Sequence, residues 1–418
     1  MKVFKFGGAS VSTIEKIKNT GGILQSFAGE KILVVISAMG KTTNALEAVS
    51  KAFYTGNTQR ALELFAEIKQ NHLNTASELS DQPMDQLNDL FTEVEWLLHD
   101  KAMREYDYYY DQIVCMGELL STCIISNYFN AAGVRNKWID VRDIIRTDNN
   151  FRDAKVDWIY TNTRVQNAVA PLFEDYDVVI TQGFIGSTDE NESTTLGREG
   201  SDYTAAVFAN LLDAESQTIW KDVQGVMNAD PKLYESAQWI KELNYREVIE
   251  MAYYGAQVIH PKTIKPLQNK GIPLLVKSFL QPKEPGTVIH NNSVRELPPI
   301  IVFKDCQLLM ELSSKDFTFV SEGLTTRVDE IFTTIKFRPN LTQIAAISLL
   351  YVTDDKAEKI EAFAHTASEL FDVKITRDLH LLTIRHYTEE VLKQLTAGKT
   401  IVLKQQTPET IQLVMATQ

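Results

Sequence analysis

Asp177-Val178-Val179-Ile180-Thr181-Gln182-Gly183-Phe184-Ile185-Gly186 is a nearly unbroken apolar run that closes on glycines. A strand with one wet face would alternate polar and apolar residues, so a short continuous run belongs in a sheet covered on both faces. The glycines let the chain turn and allow a ligand to come close to the backbone. Outward from it, residues 2–6, 31–37, 217–220 and 273–276 are further short strand-like runs, separated by longer helical stretches. That alternation predicts an α/β fold, an open and mostly parallel sheet sandwiched by helices, over residues 1–285.

Residues 58–104 contain no strand-like run and place Leu62, Phe65, Ile68 and Leu73 near helical spacing, which predicts a helical excursion. A second helix, over about 114–132, carries Leu119, Cys123, Ile124 and Tyr128 and belongs in the core. Pro282, Pro285-Gly286, Asn291-Asn292 and Pro298-Pro299 mark a linker at 286–300. Beyond it, strands at 307–312, 344–351 and 373–376 alternate with helices at 322–334 and 356–370. A strand at 380–385, a helix at 388–395 and strands at 400–404 and 410–414 then begin a second round. Residues 301–418 are therefore expected to form two ferredoxin-like modules, the second stopping before its final helix and strand.

A chain of 418 residues with 44% hydrophobic and 23% charged residues has ample material for more than one core. Its net charge of −13 disfavours a nucleic-acid surface, which needs clustered lysine and arginine. No window approaches the roughly 20 apolar residues of a membrane helix, so no membrane partner is expected. Cys115, Cys123 and Cys306 fit no zinc or redox spacing, and no signal-peptide pattern precedes residues 3–6; a reduced, cytoplasmic setting is expected.

Five segments carry candidate chemistry. In Lys5-Phe6-Gly7-Gly8-Ala9-Ser10 a strand ends on paired glycines, leaving backbone N–H groups for an anion beside a lysine; the same turn also serves a purely structural connection. Ser37-Ala38-Met39-Gly40-Lys41-Thr42-Thr43 superficially resembles a phosphate-binding P-loop, but Val35 stands where the first glycine is required. It still opens a helix at the carboxyl edge of the sheet, where α/β folds bind ligands. Glu118 sits in an apolar helix and must face a cation, either a substrate ammonium or a structural Arg or Lys.

The most specific segment is Thr194-Thr195-Leu196-Gly197-Arg198-Glu199-Gly200-Ser201-Asp202-Tyr203-Thr204-Ala205-Ala206. Arg198 can grip a carboxylate bidentately, and Ser201 or Asp202 can cap the following helix. Lastly, Lys221-Asp222-Val223-Gln224-Gly225-Val226-Met227-Asn228-Ala229-Asp230-Pro231-Lys232 forms a charged turn after a strand. Its backbone near Val226 is placed to read an adenine edge.

Taken in order, these segments and Gly255-Ala256-Gln257-Val258-Ile259-His260-Pro261 resemble the aspartate kinases of the amino-acid kinase family over residues 2–277. The string from Gly197 to Ala205 sets them apart from the acetylglutamate, glutamate and uridylate kinases of the same fold. The resemblance implies ATP with Mg²⁺ and L-aspartate as substrates. It also implies Lys5 and Asp202 as catalytic residues, and Ser37, Thr43, Glu118, Arg198 and Ser201 around the amino acid. Nucleotide contacts would come from Gly7, Gly8, Lys221, Asp222, Val226, Met227, Asp230, Lys232 and Gln257, with no protein metal cage.

Gln257, Met227 and Glu199 depart from the residues common in the family, and Lys232 or Lys262 is expected to replace the charge absent at position 257. The tail resembles paired ACT modules, which in relatives bind lysine or threonine and join subunits. A homo-oligomer, a dimer through these modules, is therefore expected. Ser321-Glu322-Gly323-Leu324 keeps the turn before the first ACT helix. Pro339-Asn340-Leu341-Thr342 replaces the usual effector segment, which implies altered or absent lysine inhibition. Two alternatives remain: a catalytically silent amino-acid sensor, and a sibling kinase acting on another carboxylate.

Overall fold

The computed structural model describes residues 1–82, 84–315, 319–320 and 322–416; the turn residue Ser321 lies outside them. Two compact units emerge. One comprises Met1–Val226, Trp239–Ile249 and Gln257–Val294, the other Met227–Gln238, Glu250–Ala256 and Arg295–Gln418.

The first unit is built on eight strands: β1 (Lys2–Phe6), β2 (Ile32–Ile36), β3 (Asn136–Trp138), β4 (Val178–Gln182), β5 (Ser216–Lys221), β6 (Glu242–Asn244), β7 (Leu274–Ser278) and β8 (Thr287–His290). Their order across the sheet is β6-β8-β7-β5-β1-β2-β4-β3. All neighbours are parallel except β7 and β8. Every residue of β2 and β4 is buried, as their continuous apolar sequences require of central strands covered on both faces. In register, Phe6 pairs with Ile36 and Trp220, and Ile36 with Gln182, so four strands end side by side.

The helical excursion is present as helices Thr58–Leu79 and Asp85–His99, and helix Met116–Ala131 is buried along most of its length. Two expectations need correction. The run from 177 to 185 is not one strand: it breaks at Gly183, and Ile185–Ser187 folds into a hairpin with Ser193–Thr195. The expected linker at 286–300 contains β8, which pairs through Val288 with Leu275 of β7 and with Glu242 of β6, so the first unit continues past residue 285 to Val294. The turn formers had hidden a four-residue strand too short to show a period.

In the second unit a six-stranded antiparallel sheet carries helices Glu322–Thr334, Ala357–Ala367 and Glu389–Thr396. The expected strand at 344–351 is a hairpin of Leu341–Ile344 and Ser348–Asp354. Two 15-residue strands, Ile300–Ser314 and Phe371–Arg385, run through both modules. Each is kinked where the modules meet, with Cys306 (φ 51°) and Asp378 (φ 58°) in the left-handed region beside register shifts. Ile300–Lys304 pairs with Leu381–Arg385, so the second module recovers its fourth strand from the front of the unit. Only its second helix is missing. No helix among the described residues is long and apolar enough to cross a membrane.

Candidate active site

The carboxyl ends of β1, β2 and β4 open into a cleft of about 450 Å³ lined by Lys5, Gly8, Ser37, Thr43, Glu118, Arg198, Ser201 and Asp202 among others. Seven of these eight come from the predicted catalytic and amino-acid sets and represent those sets in full. Lys5 leaves the end of β1 with Nζ 2.6 Å from Asp202 Oδ1, and both side chains are largely buried. Asp202 stands in the first turn of helix Gly200–Leu211, where the helix dipole favours a carboxylate. Neither Ser201 nor Asp202 caps that helix, contrary to expectation. The N-cap is Glu199 at φ 54°, whose carboxylate instead accepts the His260 N–H at 2.8 Å.

Close approach is enforced by absent side chains. A Cβ on Gly8 would lie 2.7 Å from Ala38 O, and one on Gly183 would lie 2.5 Å from Ser201 Cβ. Gly8 O accepts the Gly40 N–H at 3.1 Å, and Ser37 Oγ donates to Ser201 Oγ at 3.0 Å. These contacts tie the loops after β1, β2 and β4 to the same helix start.

Glu118 is 3% exposed. Its Oε1 accepts the Ala38 N–H at 3.2 Å, while Oε2 has no hydrogen-bond partner among the described residues. Burial pushes the carboxyl up to about 8, against the opposing pull of the Ala38 N–H and the more distant charge of Lys5. The structural cation that sequence left open is thus not paired with it. Arg198 also lines the cleft, is exposed, and its guanidinium makes no ion pair among the described residues. The site therefore offers an unpaired cation and an incompletely satisfied buried carboxylate, the complement of a small zwitterion with an additional acidic group.

Tyr110, Arg152, Phe184, Thr195 and Glu199 also line the cleft. Arg152 (φ 69°), Phe184 (φ 71°) and Glu199 (φ 54°) all adopt the left-handed backbone that non-glycine residues avoid, and such strain concentrates at functional sites. Arg152 was not legible as a site residue because a lone arginine in a polar loop has no spacing to reveal it.

The expected nucleotide residues other than Gly8 do not line this cleft. Lys221 and Asp222 leave β5 beside Gly7, because Phe6 and Trp220 are in register. Lys221 Nζ is engaged with Val258 O at 2.7 Å. Backbone groups near Val226 are expected to read a base edge; of these the Val226 N–H donates to Thr287 Oγ1 at 2.8 Å. Met227, Asp230 and Lys232 belong to the second unit, where Asp230 Oδ1 accepts the Lys232 N–H at 2.9 Å. Gln257 is exposed, and Lys262 is committed to Asp153 at 2.6 Å.

Residues 1–278 match the sequence model of the amino acid kinase family. The chain belongs to that family. Among known proteins it is 33% identical to the chloroplast Aspartokinase 1 of Arabidopsis thaliana across 84% of this chain, and it spans 63% of that relative's length. It is 31% identical to the lysine-sensitive aspartokinase 3 of Escherichia coli, over 84% of this chain and 78% of the relative. The solved structure of E. coli aspartokinase III in complex with aspartate and ADP superposes with a TM-score of 0.83 at 27% identity, covering 100% of this chain and 96% of that one.

Proposed function

We propose that the protein is an aspartate kinase, transferring the γ-phosphoryl of ATP to the β-carboxylate of L-aspartate to give L-4-aspartyl phosphate and ADP. The observation that carries this reading is the single cleft in which Lys5–Asp202, unpaired Arg198 and half-satisfied Glu118 converge. The solved relative bound to aspartate and ADP supports the same substrates.

In this reading Glu118 Oε2 receives the α-ammonium, and Arg198 takes a substrate carboxylate with Thr43, Ser37 and Ser201 supplying hydroxyls. The attacking carboxylate is already ionised and needs no general base. The γ-phosphoryl passes to it with the electron pair of the broken P–O bond leaving on ADP. Lys5, oriented by Asp202, neutralises charge on the transferring oxygens.

No cluster of three or more potential metal ligands occurs among the described residues. Mg²⁺ is held chiefly by substrate phosphates, water and one or two carboxylates, and the exposed Asp222 would be the protein carboxylate assigned to it. If bound there, Mg²⁺ would supply positive charge to offset that of the nucleotide phosphates. The antiparallel second unit is read as the ACT-type regulatory and subunit-pairing region.

Coupled measurement of ADP release with ATP and Mg²⁺ tests the reading across aspartate, glutamate and N-acetylglutamate. Aspartate is expected to give a kcat/KM at least about 100-fold above the others, since one methylene together with misplaced polar groups discriminates strongly. ADP release that is independent of aspartate, or faster with glutamate, would contradict it.

A further inference from the structure

Asp111 belongs to no motif of the sequence, yet it joins three separated segments at the cleft wall. It lies in helix Tyr106–Val114, is 0% exposed, and has no ion pair among the described residues. Its Oδ2 accepts the Arg152 N–H at 2.9 Å and the Thr195 N–H at 2.8 Å, and its Oδ1 accepts the Thr195 hydroxyl at 2.7 Å. The three donors belong to two residues, Arg152 and Thr195, that line the cleft.

The arrangement is costly and specific. A fully buried carboxylate is retained only where its hydrogen bonds compensate for lost hydration. Here those bonds hold Arg152 in a left-handed conformation at φ 69° that its own side chain disfavours. The guanidinium beyond is held separately, by Asp107 at 3.0 Å and over the Tyr110 ring at 4.3 Å. Burial pushes the Asp111 carboxyl up to about 6, with Asp107 adding in the same direction. Accepting three hydrogen bonds without donating one is the pattern of the ionised carboxylate.

We infer that Asp111 is a positioning residue that fixes the Arg152 and Thr195 wall of the amino-acid end of the cleft. It touches no substrate and acts through those two residues. The inference rests on the aspartate kinase reading for the identity of the ligand, but not for the geometry of the wall.

The test compares wild type with Asp111→Ala and with Asp111→Asn, which retains one acceptor oxygen in the same shape. Aspartate and ATP kinetics and amide hydrogen exchange are measured on the same samples. Asp111→Ala is expected to raise KM for aspartate at least tenfold and leave KM for ATP within twofold. Exchange at the Arg152 and Thr195 amides should quicken at least tenfold, and Asp111→Asn should recover most of both losses. A merely structural role would lower the active fraction and move both KM values little.

Should Asp111→Ala not fold, Asp111→Ser, with one acceptor, carries the same comparison. An aspartate KM within twofold of wild type, or unchanged exchange at both amides, overturns the inference. If wild type turns over no aspartate, the functional reading fails by itself, and the exchange comparison alone decides whether Asp111 holds the wall.

Discussion

Lys5 Nζ stands 2.6 Å from Asp202 Oδ1, joining the tip of the first strand to the first turn of helix Gly200–Leu211. The pair is mostly buried, so neither charge can be removed without stranding the other. Asp202→Asn keeps the shape but frees the ammonium to wander. Steady-state kinetics should show kcat reduced at least about tenfold with KM for aspartate changed less, because the loss falls on the transferring group. An unchanged kcat would remove Asp202 from the mechanism.

Glu118 should make the ligand-free protein sensitive to pH. Its carboxyl is raised from 4.5 to about 8, so between these values the folded state holds a proton that the unfolded chain has lost. Stability contributed by this group therefore falls as pH rises through that window and levels off above it. Glu118→Gln should have a higher Tm than wild type at pH 9 and nearly the same Tm at pH 5, read by differential scanning calorimetry. Equal Tm values at both pH values would show that burial does not penalise the charge.

Arg198 makes no ion pair among the described residues, and the proposed reading gives it a substrate carboxylate. Arg198→Ala should raise KM for aspartate about ten- to hundredfold, the range set by roughly 1.5–3 kcal/mol for a hydrogen bond to a charged group. Arg198→Lys should recover only part of this, since a lysine cannot make the paired contact. A KM unchanged in the alanine variant would place the substrate elsewhere.

Gly183→Ala should perturb the site from below. The new methyl would sit 2.5 Å from Ser201 Cβ and 2.7 Å from Ser201 Cα, which a side-chain rotation cannot relieve. Overpacking of this kind costs about 1–3 kcal/mol. Urea denaturation should record it together with a raised aspartate KM; a fully stable, fully active variant would contradict the packing.

Most of the first sheet was legible because its central strands are continuous apolar runs, and β1 was placed to the residue. The strands that escaped, β3, β6 and β8, span three or four residues and show no period. Part of the cleft lining was legible because Gly197 to Ala205, which contributes Arg198, Ser201 and Asp202, is a contiguous string. Asp111 and Arg152 were not, because their relation is tertiary: 41 residues separate a helix from the loop it restrains. In the second unit, kinks at Cys306 and Asp378 let single strands serve two modules, a sharing that no local pattern announces.

If the second unit is regulatory, as proposed, its first module carries a prediction. Asn340 occupies the segment that departs from the usual effector sequence, and its side chain is committed on both sides. Its Oδ1 accepts from Lys304 Nζ at 2.7 Å, and its Nδ2 donates to Gln307 at 2.7 Å and Asp354 at 2.8 Å. Isothermal titration with lysine should therefore show no micromolar binding. A micromolar Kd would show that this network opens to an effector.

The most direct measurement is hydroxylamine trapping of an acyl phosphate formed from ATP, Mg²⁺ and aspartate, with wild type and Lys5→Ala side by side. Aspartyl hydroxamate should accumulate with wild type and form roughly 100- to 1000-fold more slowly with the variant, the usual cost of deleting one preorganised electrostatic contact. Wild type that yields no hydroxamate, or a Lys5→Ala protein that yields it at the wild-type rate, would contradict the account.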